Sequence, residues 1–278
     1  MKKKTRHFMK KIIYTIRQPE MAILPGQLAF FFVLSMVPII SLIGIVGSFF
    51  SISVASVIDF LNTSFAVNIS DSMTTFFLGR GFDLQLGFFL LGTFLIASNG
   101  ARSIIITSNI LYNIPSQYEV KLRIKAIFLT LMLIFLIIFV LIAFAFGGYI
   151  LQMLRDINVS RTTINNLYYL YRILRWPLTF FVIYFNIKLI YTFAPDKRIK
   201  SKDVTYGAVF TAVMWITTTS VFSYYVVHFA KYDVFYGSLS NIIAIMFWIY
   251  LLCYVFVLGM ALNANKKELE VKLNNKLS

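Results

Sequence analysis

Residues 206–264 read YGAVFTAVMWITTTSVFSYYVVHFAKYDVFYGSLSNIIAIMFWIYLLCYVFVLGMALNA. The charged residues in this stretch are Lys231 and Asp233, which hinge two long uncharged runs. About twenty apolar residues in a helix, rising ~1.5 Å each, cross the roughly 30 Å hydrocarbon core of a bilayer. Each run is long enough to do so. The first carries Thr217, Thr218, Thr219 and Ser220 in its middle. Hydroxyls at that depth look for partners on neighbouring helices or in a wet cavity. The stretch therefore predicts a helical membrane protein packed around a polar interior.

Composition agrees. Of 278 residues, 59% are hydrophobic, 17% aromatic and 13% charged, where soluble domains carry about a quarter charged. Mean hydropathy is +0.78. A soluble domain could not cover so much apolar surface, so lipid must be part of the solvent. The net charge of +15 is met by lysines on cytoplasmic loops and does not call for nucleic acid. A single cysteine, Cys253, can form neither an intrachain disulfide nor a thiolate metal site alone, and is expected as a small buried hydrophobe. The first apolar run is too long for a signal peptide and lacks its small-residue cleavage pattern, so it reads as an uncleaved span.

Taken in order, residues 1–18 form an amphipathic cytoplasmic segment, 19–265 a six-helix transmembrane domain, and 266–278 a charged cytoplasmic tail. Up to Arg17 the chain has seven basic residues and no acid. Phe8, Ile12, Ile13 and Ile16 fall near one face of this segment, which suits a helix lying on an anionic inner leaflet. The six spans are expected at 28–50, at 84–100 with its helix continuing through Leu111, at 126–151, and from about Trp176 and Pro177 to Phe193, followed by the two runs above. A polar loop is expected at 155–166. Pro38 sits in the first span, where it removes a backbone hydrogen bond and offers a bend that could gate. Residues 51–83 are too polar to span and suggest short interfacial helices on the outer side. This arrangement puts 18 Lys and Arg on cytoplasmic segments against six outside, which places both termini in the cytoplasm.

All eleven acidic residues lie outside the apolar runs, which weighs against a carboxylate-driven cation antiporter. The charges at or near membrane depth are basic. Arg102 falls near the inner edge of the second span beside Asn99. Its guanidinium suits phosphate or carboxylate, or else it is an ordinary interfacial arginine. Lys188, on a face with Tyr184 and Tyr191, reads as snorkelling to the interface. Arg172, Arg175, Thr179 and Asn186 form the other stripe of that helix, either an ordinary interfacial arginine pair or a path able to guide an anionic headgroup inward. Thr211 and Thr218 follow Gly207 down one face of the fifth helix, and Thr219 and Ser223 line another; such small and hydroxylated positions let backbones approach closely. Asn241 and Asn263, near opposite ends of the last span, are natural interhelical hydrogen-bond donors. The expected cavity lining is thus Arg102, Asn99, Asn186, Thr218, Thr219, Arg175 and Asn241, with Pro38 as gate. His7 and His228 are the two histidines, and HExxH, paired cysteines and a Gly-rich phosphate loop are all lacking. Neither enzyme activity, nor a metal, nor a cofactor is expected.

AFFFVLSMVPIISLI at 29–43, SNGARSIIITSNILYNI at 98–114, and the pattern W…S…Y…YGSLS…WIY…G-x-x-LNA within 207–264 resemble the YihY/virulence factor BrkB family. The resemblance covers about residues 6–264. It implies a six-helix, multi-pass protein of the bacterial cytoplasmic membrane, with proposed roles in envelope integrity, serum resistance, and ion or solute transport. The family was once mislabelled ribonuclease BN, and the want of metal ligands in this sequence agrees with dropping that label. One departure stands out: where the family often has an acid just before LNA, this chain reads Gly259-Met260-Ala261-Leu262-Asn263-Ala264.

Together these features predict a transporter or lipid-translocating protein that moves an anionic or amphipathic substrate through a polar, basic intramembrane cavity. The alternative is a non-transporting scaffold or envelope-integrity protein that docks partners through its basic cytoplasmic surfaces. Membrane lipids with anionic headgroups are the expected partners, nucleic acid is not, and self-association stays open.

Overall fold

The computed structural model describes residues 10, 12–49, 84–115, 118–134, 161–228 and 240–264. The expected interfacial segment at 51–83, the outer half of the third span, the hinge at Lys231 and Asp233, and the tail at 266–278 lie outside the described residues. Every regular element among the described residues is a helix. A short helical piece at 12–16 precedes α1 (Glu20–Phe49) and α2 (Leu84–Leu111). There follow α3 (119–134), α4 (Arg161–Phe193), α5 (Thr205–His228) and α6 (Ser240–Ala264). Helices are what such runs must form, because in hydrocarbon a backbone has to satisfy its own hydrogen bonds. By length and composition, Thr205–Val226 and Ile242–Ala264 are each able to cross a membrane, and Glu20–Ser35 and Thr179–Phe193 are shorter apolar helices.

Two boundaries differ from expectation. Helix α1 begins at Glu20, eight residues before the apolar run proper, with the acid in its first turn, where the positive end of the helix dipole favours it. Helix α4 begins at Arg161, inside the stretch expected as a polar loop, and runs through Pro177. LYYLYRIL at 167–174 holds no Gly or Pro to break it. The single hydrogen bond that Pro177 removes does not end so long a segment.

Helix α1 packs along α2 and α6, while α5 lies against α4 and α6. The shared core runs through Leu28, Ile105, Ala126, Ile187, Ala208 and Val257. It sits toward the end of the molecule that carries Lys121, Arg123 and Lys125 with Lys197, Arg198, Lys200 and Lys202, hereafter the basic end. There α5 and α6 cross at two glycines. A Cβ on Gly207 would collide with the Gly259 carbonyl and the Asn263 amide, and one on Gly259 with the Thr211 hydroxyl. The close approach lets the Gly207 N–H donate to Asn263 Oδ1 at 2.7 Å, while Asn263 Nδ2 donates to the Val204 carbonyl at 3.2 Å. The Gly207 N–H belongs to the first turn of α5, whose donors have no partner within their own helix, so α6 caps α5 from outside. Helix α4 joins through Tyr191, whose phenol donates to the Phe256 carbonyl at 2.6 Å and pairs with the Thr211 hydroxyl at 2.8 Å.

A second insertion ties α1 to α2. The Ser35 hydroxyl accepts from the Gly100 N–H at 3.1 Å and donates to the Ile96 carbonyl at 3.4 Å. Gly100 and Ile96 stand four residues apart, so these are the two groups that a regular helix would bond to each other.

These contacts separate glycines that must be glycine from glycines that need not be. Gly207→Ala puts a methyl against a backbone carbonyl that cannot swing away, and should destabilise by about 1–3 kcal/mol. Gly26→Ala and Gly92→Ala meet nothing within 4 Å and should be neutral or stabilising by up to about 1 kcal/mol. Thermal unfolding of the three variants in detergent checks the ranking.

Candidate functional site

Polar side chains gather in three places. The first is a knot at the basic end. Lys125 Nζ on α3 donates to the carbonyls of Ala194 and Pro195, both at 2.8 Å, and to Asp196 Oδ1 at 2.6 Å. Asn109, near the end of α2, donates from Nδ2 to Asp196 Oδ2 at 2.6 Å and accepts the Asp196 N–H on Oδ1 at 2.9 Å. The Asp196 side chain is only 4% exposed. It tolerates burial because every carboxylate oxygen has a charged or amide partner. The knot fixes the α4–α5 connection to both α2 and α3.

The second place holds Arg102 and Asn99. Arg102 donates to Glu119 at 2.6 Å across an open surface, their side chains being 34% and 78% exposed. Pairs so screened contribute about 0–1 kcal/mol. Asn99 Oδ1 accepts from Arg123 Nη1 at 2.7 Å, and Arg123 Nη2 donates to the Leu95 carbonyl at 2.8 Å. Arg123 thus reaches toward residue 95 of α2, while Lys125, two residues on, reaches the knot beside Asn109. The first turns of α3 straddle the roughly 21 Å of α2 between those levels.

The third is the hydroxyl band of α5. Thr217 and Ser220 are exposed and donate to the carbonyls of Val213 and Ile216 in their own helix at 3.0 and 2.9 Å. Thr219 accepts the Trp248 indole N–H at 3.3 Å, and Thr218 is half-buried. Further along, exposed His228 stacks on Tyr224 at 4.2 Å between centroids. On α5 every buried described side chain lies between Gly207 and Ala212; from Val213 to His228 no described side chain is buried. The same holds for residues 179–186 of α4 and 240–248 of α6 among the described side chains. Tight packing is thus confined to the basic end of these three helices.

The structure joins Asn99 to the Arg102 neighbourhood through Arg123, but keeps this group apart from Thr218 and Thr219. Helices α2 and α5 share no extended contact. Asn186 donates to the Val182 carbonyl of its own helix at 2.9 Å, and Lys188 lies over the Tyr184 ring at 5.5 Å. Arg175, Asn241 and Pro38 lie within α4, α6 and α1, and their side chains are outside what is described. Reasoning from sequence counted Arg123 and Lys125 only as topological charges; their partners are the new information. Among the described residues three hydroxyls are buried without a hydrogen-bond partner: Ser103, Thr107 and Tyr112. Burial, reinforced by the Asp203 carboxylate, pushes the Tyr112 phenol above its usual range. Among the described residues no three His, Cys, Asp or Glu side chains gather as metal ligands would.

Described residues whose regular elements are all helices, with two apolar helices of spanning length, fit a helical membrane protein. Comparison with known proteins gives its family. The model of the Virulence factor BrkB family matches residues 13–276, and the chain belongs to that family. It is 28% identical over 264 residues to the ribonuclease-like protein YfkH of Bacillus subtilis (strain 168), covering 92% of this chain and 94% of that protein. It is 37% identical over 76 residues to the UPF0761 membrane protein PSHAa0171 of Pseudoalteromonas translucida (strain TAC 125), covering 27% of this chain and 25% of that one. A UPF0761 membrane protein of Haemophilus influenzae (strain 86-028NP) is 31% identical over 90 residues, 32% of this chain and 34% of the other. No solved structure matches.

The knot and the orphan hydroxyls predict opposite responses. Lys125→Ala leaves a buried carboxylate and should cost about 2–4 kcal/mol, part of which Lys125→Ala/Asp196→Asn recovers. Thr107→Val removes a hydroxyl that has no partner to lose, and should be neutral or stabilising. Unfolding midpoints of the purified variants decide both.

Proposed function

We propose that this protein is a multi-pass transporter or lipid-translocating protein of the bacterial plasma membrane that handles an anionic or amphipathic substrate. The observation that carries the reading is the contrast along α4, α5 and α6. Their basic ends are locked by Gly207, Gly259, Asn263 and Tyr191, while residues 179–186, 213–228 and 240–248 have no buried described side chain and present Thr217, Ser220, Tyr224 and His228 on the surface of α5. A closed inner end under a hydrophilic outer groove is the form expected of a carrier waiting for substrate from outside. The excess of basic over acidic groups selects negative charge, and Arg102 with Asn99 and Arg123 forms a receiving cluster toward the cytoplasm. Substrate would reach that cluster after the groove rather than in one shared pocket, since α2 and α5 lack extended contact. Chemical catalysis has no place in this scheme.

A second reading is supported by the exposure of Lys121, Lys197, Arg198, Lys200 and Lys202 at the basic end. That surface suits a scaffold that docks acidic partners without moving anything.

Cysteine labelling separates the two. Cys253 is buried, so Thr217→Cys, Ser220→Cys and Tyr224→Cys give single reactive sites. A membrane-impermeant maleimide added outside intact cells should label all three if the band lines a wet groove. Protection of all three, matching hydrocarbon exposure, removes the carrier reading. In vesicles reconstituted with labelled lipids and ions, Arg102→Ala should abolish flux while the protein still inserts; normal flux takes Arg102 out of the pathway.

A further inference from the structure

One face of α2 continues the Arg102, Asn99 and Arg123 cluster into an apolar strip that the transport reading does not use. Phe88, Leu91, Leu95, Asn99 and Arg102 recur every three or four residues, which sets them in one stripe along the helix. The three apolar members are 74%, 63% and 45% exposed, and Arg102 at the stripe's basic end is 34% exposed. Arg123 arrives from α3 at the same level, bonded to Asn99 and to the Leu95 carbonyl. Two guanidiniums therefore stand at one end of an apolar strip, opposed by the single carboxylate of Glu119. The rise from Arg102 to Leu91 is about 16 Å, close to one leaflet's share of a roughly 30 Å hydrocarbon core. A guanidinium donates paired hydrogen bonds to phosphate oxygens in a way an ammonium cannot.

We propose that this face is a binding site for an anionic glycerophospholipid of the adjacent leaflet. The phosphate sits between Arg102 and Arg123, and an acyl chain lies along Leu95, Leu91 and Phe88. The occupant is a lipid rather than free phosphate because the cationic pair continues directly into apolar surface of acyl-chain length. Glu119, exposed and bonded to Arg102, is the competitor that the headgroup must displace. The site shares Arg102 and Arg123 with the cluster of the carrier reading, but its test reads lipid binding and no movement, so the two can fail separately.

The test is native mass spectrometry of the full chain titrated with phosphatidylglycerol or phosphatidylcholine in detergent. The wild type should hold one phosphatidylglycerol in clear preference to phosphatidylcholine. Arg102→Ala/Arg123→Ala should weaken phosphatidylglycerol roughly tenfold or more, as loss of charge-assisted bonds to phosphate predicts. Lys197→Ala/Lys202→Ala, which removes as much charge from elsewhere at the basic end, should leave the affinity unchanged. Glu119→Gln keeps the fold and removes the competitor, so it should tighten phosphatidylglycerol several-fold. Equal binding of the two lipids by wild type, wild-type affinity in the double arginine variant, or no gain in Glu119→Gln would each overturn the proposal.

Discussion

Where water is excluded, a helix end with unpaired N–H groups is a costly thing to bury. Helix α5 starts at such a place, inside the packed basic end, and its first turn is completed by Asn263 of α6. That amide reaches the Gly207 N–H only because neither Gly207 nor Gly259 carries a side chain, so the backbones touch. The same contact leaves room for Thr211 and the Tyr191 phenol to satisfy each other and the Phe256 carbonyl. Remove the close approach and four polar groups lose partners together. The Gly-x-x-Leu-Asn-Ala motif of residues 259–264 thus has a physical reading: its glycine makes the gap and its asparagine fills it.

This junction was half legible from residues alone. The periodicity of Gly207 and Thr211 marked a close-packing face, and Asn263 marked a hydrogen-bonding end of the last span. The start of α2 at Leu84 and the end of α6 at Ala264 followed from where charged residues give way to uncharged runs. What a one-dimensional pattern cannot hold is which helices are neighbours. Glu119 and Arg102 are separated by a turn, and nothing in their spacing says that the first residue of α3 folds back onto α2. Lys125 and Asp196 lie 71 residues apart; each looks like a loop charge until the two are seen joined. Helix α4 misled for a different reason. Its first half mixes tyrosines and arginines, reads as polar, and ends at a proline, yet it holds no residue that stops a helix before Pro177.

Polar groups inside the molecule divide into spent and unspent ones, and the division carries more than their number. Asn109, Asp196, Lys125, Asn263, Tyr191 and Thr211 are fully engaged with one another or with backbone at the basic end. They behave as fasteners. Thr217 and Ser220 bond only to carbonyls of their own turns, an arrangement that satisfies the donor while leaving the oxygen open to a second partner. Thr217 and Ser220 can therefore meet water or a substrate without first breaking a contact to another helix. Hydroxyls locked to a neighbouring helix would not have that freedom.

The same logic applies to α2 between residues 95 and 102. The Leu95 carbonyl takes hydrogen bonds from both Ser98 and Arg123, and the bond between Ile96 and Gly100 is shared with Ser35. Here side chains from α1 and α3 enter the backbone ladder of α2 at neighbouring carbonyls. A helix whose ladder is held partly by its neighbours bends when they move, and it does so without exposing bare carbonyls to lipid, because the intruding groups can hand the bonds back. Asn99 and Arg102 ride on that turn. The Ser35–Gly100 contact thus lies two residues from the arginine on the same helix.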